Sequence, residues 1–299
     1  MTVSSFRTGA AALIAVASAA ALAVTAPPDP APGTAASGLA GQHQQLRAQL
    51  AASPFGRPIV LQSADSVQHP HGDVFAEVRH PFATVRSSLQ AGQAWCDVML
   101  LQTNVRRCEV AGGAGTPTLR VSFVRKSEQK IDEAQQIDFR FSTQAATADH
   151  LALQMTAASG PVGTSDFSLK LEAVPLDAGH SFLHLSYDYA NGVAARLATD
   201  AYLATAGRNK LGFSQTGRDA AGHPTYVTGI RGVAERNTMR YYLAIEAVLA
   251  ASGQPAAQRP EQRLANWFAA IERYPAQLKE MERANYLAMK RQDLQQSPH

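Results

Sequence analysis

His69, His71 and Asp73 form a His-x-His-x-Asp run, with His80 close behind. Alternate residues of a strand face one way, so such a trio has the spacing of zinc ligands. Pro70 and Gly72 read instead as a turn, and structural zinc sites ordinarily use four ligands, so no metal is expected. Arg236 and Arg240 lie one helical turn apart beside Asn237, a spacing suited to clamping an anionic head group. The plainer reading is an ion-pair network with Glu235 or with acids of the strands. Glu246 stands alone among apolar residues; its default place is an exposed edge, and the alternatives are a pocket wall or an arginine partner. His184, Ser186 and Asp188 share one face of one strand, which is too regular for a triad whose base must reach both neighbours across space. The sequence has no G-x-S-x-G, H-E-x-x-H or P-loop pattern, so neither a catalytic residue nor a cofactor is expected.

The chain that must position these groups has 299 residues, 45% hydrophobic and 17% charged, enough apolar material for one medium domain with an appendage. A net charge of +3 is too small to indicate nucleic acid, and the densest basic spots, Arg106-Arg107 and Arg125-Lys126, are isolated pairs. Residues 1–26 carry one charge, Arg7, then an apolar run from Ala10 to Val24 broken only by Ser18, then small residues. That pattern predicts a secretory signal peptide cut near Ala21-Leu22-Ala23 or Val24-Thr25-Ala26, with an uncleaved anchor as the alternative. The expected location is periplasmic or secreted. Residues 27–52 begin rich in Pro, Ala, Gly, Ser and Thr and are expected to be a flexible linker, helix-compatible from Gln42 onward. Export makes a Cys96–Cys108 disulfide the expected state, with two buried free thiols as the alternative.

Val74, Ala76 and Val78 mark a strand, Pro81 opens a helix to Leu89, and a second helix runs from about Gln93 to Leu101. The period then changes to two. Leu119-Val121-Phe123, Ile137-Phe139-Phe141, Leu151-Leu153-Met155, Phe167-Leu169-Leu171-Ala173 and Leu183-Leu185-Tyr187-Tyr189 each alternate with polar or small residues. Alternation at short spacing predicts an antiparallel sheet with one apolar face. A helix follows to about Thr205, then a short hairpin with arms at Leu211–Ser214 and Tyr226–Thr228. A long helix over Arg231–Ala251, apolar on nearly every side from Met239, is expected to be buried on nearly every side. Residues 255–299 read as a separate helical hairpin, with a stripe of Leu264, Trp267, Phe268, Ile271 and Tyr274 and then a helix over about Gln277–Gln292.

The order of strand, two short helices, antiparallel strands and long helix resembles the helix-grip fold of the START and polyketide-cyclase-like superfamily. The residues that carry the resemblance are Gly72 to Val78, then Pro81, Phe82, Val85 and Leu89, then Trp95-Cys96-Asp97. It implies an α+β ligand-binding domain over residues 53–251, in which a curved sheet wraps the long helix around an apolar cavity. A sheet with one apolar face needs a cover, and a mostly apolar helix needs burial. The expected ligand-binding residues are Phe139, Arg140, Phe141, Met155, Leu169, Leu171, Tyr187, Arg236, Met239, Arg240, Tyr242 and Leu243. The leading function is binding or carrying a lipid or other hydrophobic small molecule, near a membrane. The alternatives are a cyclase- or hydrolase-type enzyme on the same fold using Arg140, His184 or Asp188, and an interaction module with a filled cavity.

Overall fold

The computed structural model describes Met1 and residues 32–296, apart from residues 65, 113–115, 126–128, 130, 161–162 and 206. Residues 2–26, expected to belong to a signal peptide, and the start of the expected linker lie outside the described residues. All that follows belongs to the unit Pro32–His299.

Eight strands form one antiparallel sheet in the order β1-β2-β8-β7-β6-β5-β4-β3. They are β1 (Ile59–Ala64), β2 (His71–Val78), β3 (Val105–Ala111), β4 (Thr118–Phe123), β5 (Gln135–Ala146), β6 (Leu151–Ser159), β7 (Thr164–Pro175) and β8 (Ser181–Asn191). Strands β4 to β6 and the middle of β7 follow the expected alternation, while β8 is buried on both faces around Phe182 and Ser186. In β6 the buried positions are Leu151, Leu153, Met155 and Ala157, each followed by a more exposed residue. Register shifts between Val105 and Arg107, Thr143 and Ala145, and Ser165 and Ser168 interrupt the ladders. Such bulges bend a strand and increase its twist, which curves the sheet.

Two short helices, α2 (Phe82–Leu89) and α3 (Gly92–Leu100), connect β2 to β3. Pro81 sits at the α2 N-cap with φ −54, a place where its missing N–H costs nothing. Trp95 is buried and its indole N–H donates to the Leu89 carbonyl at 3.0 Å, which locks α3 against α2. The Cys96–Cys108 disulfide then ties α3 to β3 across a Cα–Cα distance of 5.2 Å, the pairing expected from the sequence.

Helix α5 (Gly229–Ala251) lies in the concave side of the sheet. It touches β2 most closely at Gly72, where a Cβ would fall 2.4 Å from the Thr238 hydroxyl, so only glycine lets the two backbones meet there. Helix α6 (Arg259–Ile271) buries Leu264, Trp267, Phe268 and Ile271 against α5. The short α7 (Pro275–Leu278) and then α8 (Arg283–Gln296) complete the C-terminal part. Helix α8 packs on α6 and on β3, covering that edge of the sheet. Its anchor is ionic: buried Asp293 accepts from Arg106 Nε at 2.7 Å and from Lys290 Nζ at 3.3 Å. Helix α4 (Val193–Ala204), by contrast, buries only Ala195, and Val193 and Leu197 are 65% and 66% exposed.

The architecture is therefore α+β with the curved sheet gripping the long helix, as the sequence resemblance implied. Three expectations are corrected. Residues 32–51 are not linker but helix α1 (Pro32–Ala51), because Leu39, Leu46 and Leu50 recur on one side and bury against Val60, Phe75, Val174 and Phe182 of the convex face. The hairpin strands are β9 (Gln215–Arg218) and β10 (Pro224–Tyr226), nearer its turn than expected, because Phe213 and Val227 are buried and leave the flanks to the core. The last helix starts at Arg283 rather than Gln277, since the Pro275 turn ends at Leu278 and Lys279 is extended.

Candidate functional site

Between the concave face of β5, β7 and β8 and one side of α5 lies a cavity of about 690 Å³. Its long wall is aromatic. Phe139 meets Phe167 edge-on at 6.3 Å, and Phe167 stacks on Tyr189 at 5.2 Å. Tyr189 adjoins Tyr187 at 5.7 Å, and Tyr187 adjoins Tyr241 of α5 at 5.4 Å. Phe167 shares the inward parity of Leu169, and beside it lies the β7 bulge, where Asp166 takes φ 51. That left-handed residue breaks the alternation, and Thr164, Phe167 and Ser168 all line the cavity. Burial pushes the Tyr189 and Tyr241 hydroxyls up to about 12 and also raises the Tyr187 hydroxyl well above its ordinary value, so all three are neutral donors at physiological pH.

The opposite end is cationic. Arg236 and Arg240 enter from α5 and Lys210 from the segment before β9. Arg240 pairs with Glu280 at 2.5 Å, and Thr103 donates its hydroxyl to the same carboxylate at 2.5 Å. Desolvation opposes ionisation of Glu280, yet Arg240, the Thr103 hydroxyl, Lys210 and Arg236 together hold its carboxyl below its ordinary range. Lys210 donates to the Lys279 carbonyl at 2.6 Å. Arg236 is only 2% exposed. It donates to the Leu211 carbonyl at 3.2 Å and bonds the Tyr202 hydroxyl, and no carboxylate among the described residues lies within ion-pair reach of it.

The loop behind Arg236 is held by Glu235, which is fully buried. Its carboxylate accepts the backbone N–H of Phe213 at 2.6 Å, that of Ser214 at 2.9 Å and the Ser63 hydroxyl at 2.6 Å. Gly212 packs so close that a Cβ would lie 2.7 Å from the same carboxylate. Glu235 thus fixes the Leu211 carbonyl that in turn orients Arg236, and is not the ion-pair partner of Arg236 that the sequence suggested.

The expected ligand-binding residues fall into four groups. Phe139, Leu169, Tyr187, Arg236 and Arg240 line the cavity. Phe141, Met155, Leu171 and Met239 are buried in the core but do not line it, Phe141 packing beside Trp95 at 6.4 Å. Arg140 is exposed on the convex face, because its neighbours Phe139 and Phe141 take the two inward positions of β5; it is corrected as a ligand contact. Tyr242 and Leu243 are turned from the cavity by helical geometry, since its α5 stripe is Val233, Arg236, Asn237, Arg240 and Tyr241. Leu243 instead lines a separate groove of about 710 Å³ between β1, β2, α5 and α6. There Glu246 accepts from Tyr242 at 2.7 Å and pairs with Arg57, so it has the arginine partner rather than the exposed edge.

His184 and Asp188, the expected polar groups of an enzyme on this fold, also lie on the convex face. His184 is stacked on Phe75 at 4.2 Å and bonded to Asp73 at 2.8 Å, with His71 on the other Asp73 oxygen at 2.6 Å. No group of three or more histidine, cysteine or carboxylate side chains among the described residues is arranged to hold a metal ion. Sequence reasoning passed over Phe167, Tyr189 and Tyr241 as site residues; strand alternation carried the signal for Phe167 and Tyr189, whereas nothing singled out Tyr241 on a helix apolar on nearly every side. Nothing local in the sequence marks Lys210 or Glu280, which reach the cavity through loops.

No family model matches the chain, and no curated protein matches it. Solved structures with a similar fold include the ZhuI aromatase/cyclase from Streptomyces sp. R1128, at 16% identity and a TM-score of 0.34, covering 69% of this chain and 94% of that one. A norcoclaurine synthase mutant from Thalictrum flavum is 16% identical with a TM-score of 0.32, covering 48% of this chain and 84% of that one. Ara h 8.0201 is 13% identical with a TM-score of 0.32, covering 46% and 91%. The fold assignment stands on this chain's own strand order and gripped helix. By that topology the chain has a helix-grip fold, an antiparallel sheet curved around one long helix.

Proposed function

We propose that this protein is an exported carrier that holds a hydrophobic small molecule, of lipid or ring-bearing type, in the cavity between α5 and the sheet. The observation that carries the reading is the cavity itself: about 690 Å³ bounded by a continuous row of five aromatic side chains, a volume within the range of small-ligand sites. The apolar run from Ala10 to Val24 and the Cys96–Cys108 pair both suit an oxidising compartment outside the cytoplasm. A filled-core interaction module is disfavoured by the same open volume. An enzyme using Arg140, His184 or Asp188 is disfavoured because those groups are on the other face of the sheet.

Native mass spectrometry of the protein from its own exporting host tests the reading. A bound mass of a few hundred daltons is expected on the wild type. Val233→Trp, which fills the α5 side of the cavity, is expected to lose that mass while keeping its melting temperature. A wild type that carries nothing, with a Val233→Trp variant strongly destabilised by overpacking (about 1–3 kcal/mol), would show a filled core instead.

A further inference from the structure

We propose that the cavity's ligand is an amphipathic anion, with an apolar, ring-shaped body against the aromatic row and a single acidic group received by Arg236, with Arg240 and Lys210 beside it. This rests on the carrier reading above and adds the charge and shape of the cargo.

The argument begins with Arg236. A buried guanidinium is costly unless an anion compensates it. Its two partners, the Leu211 carbonyl and the Tyr202 hydroxyl, satisfy donors but bring no charge. Glu280, the carboxylate that lines this end, is already engaged by Arg240 and Thr103. Three cations, Lys210, Arg236 and Arg240, therefore face one carboxylate at the same end of one cavity. That excess is local, since the whole chain carries only +3. An entering acidic group would supply the missing charge where water is scarce and charge-assisted hydrogen bonds are strongest.

The shape of the body follows from the wall. The rings of Phe139, Phe167, Tyr189, Tyr187 and Tyr241 adjoin one another in sequence, with Phe167 and Tyr189 only 10° from parallel. Such a row offers flat faces and edges along its length, which a planar ring system matches better than a flexible chain, because it loses less freedom on binding. The cationic cluster sits at one end of that row, so a molecule with its acid at one terminus satisfies both at once. A neutral cargo would leave Arg236 as it stands now.

The test uses two dyes with one ring system: 8-anilinonaphthalene-1-sulfonate and its neutral counterpart N-phenyl-1-naphthylamine. Both are titrated into the mature protein by fluorescence, with near-ultraviolet circular dichroism confirming native packing. The sulfonate is expected to bind the wild type roughly tenfold or more tightly than the neutral dye. Arg236→Gln should remove most of that preference while leaving the neutral dye's affinity in place, and Arg236→Lys should restore part of it. If Arg236→Gln does not fold, Lys210→Gln serves, with a smaller loss of the same sign. Equal affinity of the two dyes, or a preference untouched by either variant, would overturn the anionic assignment and leave the carrier reading standing. Binding of neither dye would count against the cavity as a ligand site and remove the assignment with it.

Discussion

His184 is held between two carboxylates on the convex face, Asp73 at 2.8 Å and Glu172 at 3.7 Å, with the Phe75 ring flat against it. Burial disfavours its charge, but hydrogen bonds to Asp73 and Glu172 prevail and raise its pKa above 6.5; the hydrogen bond to Asp73 raises His71 likewise. The partners move the other way: Asp73 is held well below 3.8 by His184 and His71 against its own desolvation, and Glu172 below 4.5 chiefly by its hydrogen bond to His184. The raised histidines stabilise the fold fully below pH 6.5, and that contribution is lost as the pH climbs through their folded values. The depressed carboxylates stabilise it above their ordinary values, and that contribution is lost on acidification through their folded ones. The cluster is therefore at its strongest between about pH 4.5 and 6.5. His184→Asn is expected to flatten the fall in melting temperature above pH 6.5 that the wild type shows, and parallel curves for the two proteins would contradict this. At this scale the sequence showed which residue types were unusual but not their company. His71, Asp73 and His184 could be named from the chain, yet only strand pairing across β2 and β8 makes them one cluster.

Helix α8 is fastened to β3 by charge. Its mean sequence pattern has little amphipathic stripe, and the helix reaches β3 through Lys290, Asp293 and Arg106, all buried. Burial pushes Lys290 down to about 8, against the pull of Asp293. Removing the shared acid leaves two buried cations facing each other, which ordinarily costs about 3–5 kcal/mol. Asp293→Ala is expected to lower unfolding free energy in urea by that order, and a loss below about 1 kcal/mol would mean that water relieves the pair. The long alternating strands and α5 were legible because burial on one face or on all faces writes a period into the residues. Strand β3 was not, because Arg106 is buried by its ion pair and Val110 is 40% exposed, which inverts the usual polarity of the pattern. Helix α1 was not, because Ala, Gly and Ser around Leu39, Leu46 and Leu50 have the composition of a linker, and only the convex face of the sheet supplies a surface to fold against.

For the molecule as a whole, the cavity depends on parts that are far apart in the chain: the β7 bulge, the α5 stripe, the loop braced by Glu235 and the segment around Glu280. The sequence could predict a gripped helix and a covered sheet face, because both follow from period. It could not predict which side of a helix apolar all round turns to the cavity, since β2, α6 and the Glu235 loop each claim a side. That covering has a kinetic consequence. With α5 enclosed and the sheet continuous, the least firmly held wall is α4, which contributes Ala195, Ala198, Thr199 and Tyr202 to the cavity but buries only Ala195. Segments with so little buried contact open locally at a small fraction of the global unfolding free energy. On the proposed carrier reading, cargo exchange should then follow the opening of α4 and be indifferent to how stable the rest is. Ala201→Gly, at an exposed position of α4, is expected to speed dye release roughly two- to fivefold with the melting temperature unchanged, whereas Asp293→Ala should lower the melting temperature and leave the release rate alone. On the proposed carrier reading, the fold can be stabilised without lengthening the time the protein keeps what it carries.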